Sequence, residues 1–299
     1  MKVQILGSNG YIGKNFTHYL NSLENIEIEL FDVQKDSVHK NLQYTPLDIS
    51  DKLQVSNINF SSDFIFIFSG LTGTAAGFPN YEEYLRVNEL GLLNLLNALK
   101  EQNYKGRIIF PSTRLVYKGI KNTSLNEDSE KEFKTPYAIN KYACEQYLKM
   151  YNNMFRLNYT IFRICVPYGN FVGNEYSFGT VGFFLNKAAK NENITLYGDG
   201  SQQRTFSHIH DICSTLWNGA SNKETFNDVF NIGGETLSLF DAANIVADKF
   251  KVKVEFTEWP ETDLKLESGD TIFNSGKLDS ILGKNSKYKF EEWVKRLNS

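Results

Sequence analysis

The sequence feature that most constrains the fold is a glycine-rich turn that directly follows the first apolar segment. Residues 2–6, KVQIL, are followed by GSNGYIG at residues 7–13 and then by a helical pattern up to Leu20. Small residues are needed where the backbone turns tightly, approaches a pyrophosphate and lets a helix pack closely on a strand. The helix amino terminus adds N–H donors and a dipole that favours phosphate. The pattern therefore predicts a dinucleotide site whose binding residues are Gly7, Gly10, Tyr11, Ile12 and Gly13.

Asp32 lies at the end of the second predicted strand, about 20 residues after the glycine loop, where dinucleotide-binding folds place an acidic residue. Its carboxylate can accept hydrogen bonds from both ribose hydroxyls, and it repels a 2′-phosphate. This favours NAD as the cofactor, while Gln34 and Lys35 nearby leave NADP open. A hairpin turn at Asn9-Gly10 is the alternative for the loop, but the residues that follow have a helical period.

Short segments rich in Val, Ile and Phe alternate with longer segments of helical period, which is typical of a parallel sheet covered by helices. We predict strands at residues 3–6, 26–31, 64–68, 107–110 and 160–164, and crossover helices at residues 81–100 and 135–151. The expected fold class is α/β, with a doubly wound parallel sheet of the Rossmann type and a smaller C-terminal α/β substrate domain.

The composition changes after Pro167, where loops rich in Gly and Asn begin. Residues 1–166 are therefore expected to form the dinucleotide-binding domain and residues 167–299 the substrate-binding domain, with a segment at about 205–240 returning to the first. In the second region we predict a helix near residues 180–190, strands at 194–197 and 229–234, a helix from a Ser238 cap to residue 250, and a last helix near residue 290.

The bulk composition excludes several classes of partner. The formal net charge is −3 and basic residues are not clustered, so nucleic acid is not an expected partner. The longest apolar run, residues 64–68, is far shorter than the roughly 20 residues of a membrane-spanning helix, so no membrane insertion is expected. Cys144, Cys165 and Cys213 form no C-x-x-C pair and leave one thiol over in any disulfide scheme. We therefore expect a cytoplasmic protein with reduced thiols.

The chain contains two Tyr-x-x-x-Lys pairs, Tyr117 with Lys121 and Tyr137 with Lys141. Tyr137 follows Pro136, which is favoured at the first position of a helix, and residues four apart on a helix share a face. Tyr117 is followed by a glycine-containing segment, so its lysine has no helix to bring it to the same side. We predict Tyr137 as a catalytic acid or base whose pKa the Lys141 ammonium helps to lower.

Motifs along nearly the whole chain resemble those of the extended short-chain dehydrogenase/reductase family, the NAD-dependent epimerase/dehydratase group. They include the G-x-x-G-x-x-G loop, VNELGLLNLLNAL, IIFPSTRLVYKG, TPYAINK, FRICVPYG, LYGDGSQQRTFSHIHD and VFNIGGE, in the family's order. The resemblance implies an enzyme that moves a hydride between a nicotinamide and a carbon of a nucleotide-linked sugar.

The resemblance also implies roles for individual residues. Thr113 takes the place of the hydroxyl that shares the substrate oxygen with Tyr137, although Thr113 and Ser112 could instead satisfy backbone groups at a strand end. Lys141 also fixes the ribose. By the same resemblance the cofactor site is lined by Asp48, Ile49, Phe68, Ser69 and Gly70, and the substrate is contacted by Arg114, Tyr197, Arg204 and His208, with Arg204 reaching the phosphates.

A homodimer is a further implication of the resemblance, because the helices after strands four and five form the dimer interface in this family. The apolar residues Leu92, Leu93, Leu96 and Ile139 on these helices are compatible with such an interface. They are equally compatible with the core of a monomer.

Three features depart from the family pattern or invite another interpretation. Arg114 and Leu115 stand where the family's 4,6-dehydratases carry an Asp-Glu pair, and neither side chain can transfer the protons that dehydration requires. Val166 replaces an Asn that contacts the substrate diphosphate. His208 and His210 lie two residues apart, but a third ligand is lacking nearby, so no metal is expected.

The leading interpretation is a reductase of a 4-keto-(6-deoxy)sugar nucleotide. It is favoured slightly over a nucleotide-sugar 4-epimerase, because a long Arg114 side chain beside the site would restrict rotation of a keto sugar. The 4-epimerase is the first alternative. A non-catalytic dinucleotide-binding sensor or scaffold is the second, and the presence of Thr113, Tyr137 and Lys141 counts against it.

Overall fold

The structure is a computed structural model that describes residues 1–173 and 175–297. It divides into two units. The first comprises Met1–Val116, Thr135–Arg163 and Leu216–Phe230, and the second comprises Tyr117–Lys134, Ile164–Thr215 and Asn231–Ser299. This division differs from the expected boundary at residue 166, because the second unit takes residues 117–134 and only residues 216–230 of the segment 205–240 return to the first. Residues 117–134 have no regular apolar period, so the sequence alone did not separate them.

The regular elements are defined in chain order. The strands are β1 (Lys2–Leu6), β2 (Glu27–Asp32), β3 (Gln43–Pro46), β4 (Phe64–Ile67), β5 (Arg107–Thr113), β6 (Ser124–Leu125), β7 (Asn158–Ile164), β8 (Val166–Tyr168), β9 (Ile194–Tyr197), β10 (Gln203–His208), β11 (Asp228–Asn231), β12 (Glu235–Ser238), β13 (Val254–Thr257) and β14 (Ile272–Phe273). The α-helices are α1 (Tyr11–Asn21), α2 (Lys52–Ser56), α3 (Tyr81–Tyr84), α4 (Gly91–Glu101), α5 (Pro136–Phe155), α6 (Gly179–Ala188), α7 (Ile209–Ser221), α8 (Leu239–Phe250), α9 (Glu261–Leu266), α10 (Gly276–Leu282) and α11 (Phe290–Lys295). A π-helix, Leu85–Leu90, joins α3 to α4.

The first unit is built on a seven-stranded sheet with the order β11-β7-β5-β4-β1-β2-β3. The pairs β1–β2, β1–β4, β2–β3 and β4–β5 are parallel. Every residue of β5 is buried, as is β1 from Val3 onward, because helices cover both faces of such a sheet. The predicted doubly wound parallel sheet is confirmed.

Helix α4 packs its apolar stripe into the core of this unit. Leu92, Leu96 and Leu99 are each 2% exposed or less, so Leu92 and Leu96 belong to the core and are not available to a dimer surface. The predicted helix over residues 81–100 is interrupted by the π-helix. Asn88 on that π-helix is buried and accepts the Leu71 N–H at 2.7 Å, and its Nδ2 donates to the Leu71 carbonyl at 3.0 Å. The interruption therefore anchors the loop that follows β4.

Helix α5 begins where the sequence predicts it. Thr135 has an extended backbone, and its hydroxyl oxygen accepts the Ala138 N–H at 3.1 Å, which caps the helix before Pro136. The buried Glu145 of this helix forms a two-point ion pair with Arg163, at 2.9 Å from Nε and 2.6 Å from Nη2. The cap and the ion pair fix the helix on the sheet, and they place Tyr137 in its first turn.

The second unit contains smaller sheets, in which β10 pairs with β8 in parallel and with β12 antiparallel. β9 pairs with β13, and β6 pairs with β14. Ser238 caps α8 as predicted, and a reciprocal bond to Asp241 completes a capping box. Among the described residues, none of the helices has the length and apolar character that crossing a membrane requires.

Candidate active site

The glycine loop lies at the carboxyl end of β1 in very close backbone contact with its surroundings. Gly7 has a φ of +81°, and a Cβ built on it would lie 2.3 Å from the Ser69 backbone nitrogen. A Cβ on Gly13 would lie 2.1 Å from the Gly7 carbonyl oxygen. A side chain on Gly7 would therefore clash with the backbone at Ser69, and a side chain on Gly13 would prevent α1 from approaching β1. Gly10 precedes α1, and Tyr11 and Ile12 form its first turn, which directs the N–H groups of this turn into the loop.

Asp32 ends β2 beside the loop and is 9% exposed. One carboxylate oxygen accepts the Asn9 N–H at 2.9 Å and the other accepts the Gln34 N–H at 3.2 Å. These bonds fix the carboxylate in one orientation. Each oxygen keeps a lone pair with which to accept a ribose hydroxyl. The residues therefore fit the adenosine end of a dinucleotide.

One cleft of the first unit collects most of the predicted cofactor residues, although Tyr11, Ile12, Gly13, Tyr137 and Lys141 are not among its lining. It is lined by Gly7, Gly10, Asp32, Asp48, Ile49, Phe68, Ser69 and Gly70, and also by Val33, Gln34, Leu47, Leu71, Glu83, Arg86 and Val87. Of the second group, only Gln34 was singled out from the sequence, and Gln34 was not assigned to the cofactor site. Arg86 is the most informative of them, because its Nη1 lies 3.3 Å from a carboxylate oxygen of Asp48. Its position on the π-helix gave no motif by which it could have been found.

Tyr137 and Thr113 meet at the carboxyl end of β5. Thr113 is the last residue of β5, and its hydroxyl lies near enough to the Tyr137 phenol to lower the pKa of that phenol. The Lys141 ammonium donates to the Pro111 carbonyl oxygen at 2.9 Å and lies 4.3 Å from the centre of the Phe110 ring. The structure thus brings the three predicted catalytic residues to one end of one strand.

The pKa values of Tyr137 and Lys141 differ from the sequence expectation, which was that the lysine lowers the pKa of the tyrosine. Burial raises the pKa of the Tyr137 phenol well above its ordinary value, and the nearby Thr113 hydroxyl offsets only part of this. Burial also lowers the pKa of Lys141 to about 8. The lysine does not lower the pKa of the tyrosine in the protein alone, because its ammonium is held by the Pro111 carbonyl.

The alternative pair, Tyr117 with Lys121, lies in the second unit. Tyr117 is fully buried, and its hydroxyl donates to the Asn231 side-chain oxygen at 2.7 Å. Its ring packs edge-on against Phe273 at 5.6 Å. The phenol is thus committed to the core, which agrees with the absence of a helix after it.

Arg204 does not have the environment expected of a residue that contacts substrate phosphates. It is 1% exposed, its guanidinium forms an ion pair with Glu267, and Nη1 donates to the Gln203 and Gly269 carbonyls. A carboxylate already balances its charge within the second unit. The structure therefore gives no support to the predicted phosphate contact.

His208 is buried in the second unit and stacks on Tyr288 with ring centres 4.1 Å apart. Its Nδ1 accepts the His210 N–H at 3.2 Å, and burial lowers the pKa of His208 to about 3. It is therefore neutral near pH 7, with its proton on Nε2. Within the part of the chain that the structure describes, no three His, Cys, Asp or Glu side chains are grouped to hold a metal ion.

The other positions singled out in the sequence lie as follows. Arg114 is half-buried and begins the 3₁₀ turn Arg114–Val116 directly after Thr113, in the first unit. The Leu115 N–H donates to the Thr113 hydroxyl oxygen at 3.3 Å. In the second unit, Tyr197 is 42% exposed and packs against Trp259 at 5.1 Å, and Val166 is buried in β8.

Residues 3–233 match the model of the NAD dependent epimerase/dehydratase family. The chain belongs to this family. NAD, the cofactor predicted from the glycine loop and Asp32, is thereby confirmed, and the geometry of that cleft fits it. The relatives to which this chain is similar are named as enzymes that act on nucleotide-linked sugars.

Two relatives illustrate the similarity. The chain is 26% identical to the CDP-paratose 2-epimerase of Salmonella typhi, with 98% of this chain and 99% of the relative covered. It is 25% identical to a putative UDP-glucose 4-epimerase of Methanocaldococcus jannaschii, with 82% and 81% covered.

Solved structures show the same fold. The Thermus thermophilus UDP-glucose 4-epimerase in complex with NAD superposes with a TM-score of 0.87 at 22% identity, over 99% of this chain and 97% of that one. Pal from Bacillus thuringiensis superposes with a TM-score of 0.86 at 23% identity, over the full length of both.

We expect NAD to bind more tightly than NADP, because Asp32 accepts ribose hydroxyls and repels a 2′-phosphate. Replacing Asp32 with Ala should weaken NAD binding by about tenfold or more and reduce the discrimination against NADP. Asp36→Ala is the matched control. The Asp36 side chain is exposed, and the contact of this residue with the loop is made by its backbone carbonyl, which Ala retains. Calorimetric titration of both cofactors decides the matter. Equal affinities of the wild type for the two would contradict the role of Asp32.

The buried Lys141 predicts a pH-dependent stability of the protein without cofactor. Its pKa is about 8 in the folded state against 10.5 as the ordinary value, so between these pH values the unfolded chain binds more protons at this site. The free energy of unfolding of the wild type minus that of Lys141→Met should therefore rise with pH, by about 1 kcal/mol per pH unit near pH 9. Urea unfolding from pH 7.5 to 9.5 measures it, with the exposed Lys121→Met as control. A constant difference would show that Lys141 keeps its ordinary pKa.

Proposed function

We propose that the protein is a nucleotide-sugar 4-epimerase that uses tightly held NAD. The observation that carries the proposal is the placement of the Tyr137 phenol near the Thr113 hydroxyl, with Lys141 beside them, in the same unit as the glycine cleft. Relatives that match most of the chain are named as epimerases, which favours this reaction over the reductase that the sequence favoured slightly.

The chain's own residues have defined tasks in this reaction. Tyr137 takes the proton of the C4 hydroxyl as base, and Thr113 holds the same oxygen by a hydrogen bond. The residues of the glycine cleft would hold NAD, which would supply the acceptor for the C4 hydride and its donor to the opposite face of the C4 ketone. Tyr137 then gives the proton back to the oxygen, so atoms and electrons balance over the cycle.

The pKa of Tyr137 in the protein alone explains why a nearby cation matters. The buried Tyr137 phenol resists ionisation, and a general base must lose its proton before it acts. A positive charge close to the phenol lowers the pKa, and Lys141 is the cation on the same helical face one turn away. Movement of the Lys141 ammonium from the Pro111 carbonyl toward the phenol is therefore part of the proposal.

The reductase and the scaffold are distinguishable from the epimerase. A 4-ketosugar reductase consumes one reduced cofactor in each turnover, whereas an epimerase consumes none. A non-catalytic scaffold has no need for a Tyr137 phenol near a Thr113 hydroxyl. Arg114 and Leu115 provide no carboxylate for loss of water, so dehydration is not part of the proposal.

A homodimer stays a proposal for this chain. Leu92 and Leu96 are in the core, but Ile139 on α5 is 51% exposed, and Leu85 and Leu90 on the π-helix are each 48% exposed. An interface formed by Ile139, Leu85 and Leu90 would differ from the expected one, because Leu92 and Leu96 would not take part in it.

Tyr137→Phe should lower kcat by roughly 100- to 10,000-fold while NAD binding is retained, because only the proton-transferring oxygen is removed. Tyr117→Phe is the matched control. It removes the bond to Asn231 and should lower the free energy of unfolding by about 1 kcal/mol with little effect on kcat. Steady-state kinetics and urea unfolding measure the two effects. Similar kcat losses in both variants would reject Tyr137 as the base.

Incubation with UDP-, dTDP-, GDP- and CDP-hexoses tests the reaction itself. We expect a product of unchanged mass that differs by NMR at C4, formed without net reduction of NAD and with retention of a deuterium label placed at C4. Oxidation of added NADH by a 4-ketosugar nucleotide would instead identify the reductase. A product lighter by one water would contradict the argument from Arg114 and Leu115.

A further inference from the structure

The first unit contains a second cleft, at the edge of the sheet where β4 and β5 begin. It has a volume of about 540 Å³, which lies in the range of small-molecule sites. Its walls are residues 60–64 and 102–107, together with Ser221 at the end of α7 and Lys223 and Phe226 just after it. The glycine loop lies at the carboxyl end of β1, so this cleft is at the opposite edge of the parallel sheet.

Arg107 lines this cleft and is 3% exposed. Its Nη1 donates to the Gly219 and Asn222 carbonyls at 3.1 and 2.8 Å and to the Thr225 hydroxyl at 2.9 Å, with the Thr160 hydroxyl at 3.5 Å. These contacts cap the carboxyl end of α7, where a cation is favourable. All of the acceptors are neutral, so the capping role does not balance the charge.

The other edge of the Arg107 guanidinium is unused. Its Nε is buried and has no hydrogen-bond partner among the described residues. Arg163 in the same unit shows what this edge does when it is used, because its Nε and Nη2 hold the Glu145 carboxylate with two bonds. That two-point geometry suits a carboxylate or a phosphate. Arg107 has the donors but no such anion.

The surroundings of Arg107 are positive and aromatic. Lys105 and Lys223 also line the cleft and are exposed, whereas the described lining holds one carboxylate, Asp63, which accepts the Lys2 N–H at 2.8 Å. The Arg107 guanidinium carbon lies 3.3 Å from the centre of the Phe226 ring, and Phe226 is itself 40% exposed. Burial without a counter-ion lowers the pKa of Arg107 to about 10. Excess positive charge is unusual in a chain of net charge −3.

We propose that Arg107, Lys105 and Lys223 form a binding site for a phosphate group in this cleft, separate from the cofactor cleft. The unpartnered Nε edge of Arg107 makes the two-point contact, and the two lysines attract the anion and hold its outer oxygens. The ligand is inorganic phosphate or the phosphate of a small sugar ester, since both present the same oxygens. The inference does not depend on which reaction the first cleft serves.

The test uses the full chain with saturating NAD, so that the cofactor's own phosphate-binding groups are filled. Inorganic phosphate and glucose 1-phosphate are titrated in separate calorimetric experiments at constant ionic strength. We expect the wild type to bind phosphate, and the double variant Lys105→Glu/Lys223→Glu to bind it more weakly by roughly tenfold or more. Tighter binding of the ester than of phosphate would identify a sugar phosphate as the ligand.

The matched control is Lys190→Glu/Lys251→Glu, which reverses the charge of two exposed lysines outside this cleft. It changes the net charge by the same amount and should bind phosphate as the wild type does. Because all four lysines are exposed, each variant is expected to fold. Absence of phosphate binding by the wild type, or equal losses in the two double variants, would overturn the proposal.

Discussion

The first unit depends on the contact between the backbones of Gly7 and Gly13. A Cβ on Gly13 would lie only 2.1 Å from the Gly7 carbonyl oxygen, so α1 can approach β1 only when Gly13 lacks a side chain. A Cβ on Gly7 would lie 2.3 Å from the Ser69 nitrogen. The same loop is tied to the neighbouring strand, because the N–H groups of Gly7 and Ser8 donate to the Phe31 carbonyl at 2.8 and 3.1 Å. Asp32 is the next residue. This loop therefore places the helix amino terminus and the Asp32 carboxylate at the same edge of the sheet.

The catalytic end of β5 is arranged by the start of α5. The Thr135 cap and Pro136 determine where the helix begins, and this fixes Tyr137 and Lys141 on one face. Burying the lysine without a carboxylate lowers its pKa to about 8, and the Pro111 carbonyl and Phe110 ring compensate only in part. This destabilising burial is tolerated next to a phenol that needs a nearby cation. Stability and reactivity thus make opposite demands on the same ammonium group.

The sequence predicted those parts of the fold and site that depend on local pattern. The glycine loop, the Asp32 spacing, the alternating strands and helices, and the capped start of α5 are each determined within a few residues. Contacts between residues far apart in the chain could not be predicted in this way. Glu267 neutralises Arg204 from 63 positions away, and Asn231 binds the Tyr117 hydroxyl from 114 positions away. The π-helix of Asn88 and Arg86 was missed because its composition resembles that of an ordinary helix.

The buried arginines show why charge accounting separates structural from functional residues in this chain. Arg163 is 2% exposed and Arg204 is 1% exposed, and each faces a carboxylate. Breaking such a pair leaves an uncompensated buried charge, so a substrate phosphate could recruit Arg204 only by displacing Glu267. Arg107 is 3% exposed and has only neutral acceptors. A phosphate at Arg107 displaces no carboxylate, so its binding opposes no existing ion pair. By this charge accounting, Arg107 is the buried arginine at which a phosphate would form an ion pair without breaking one.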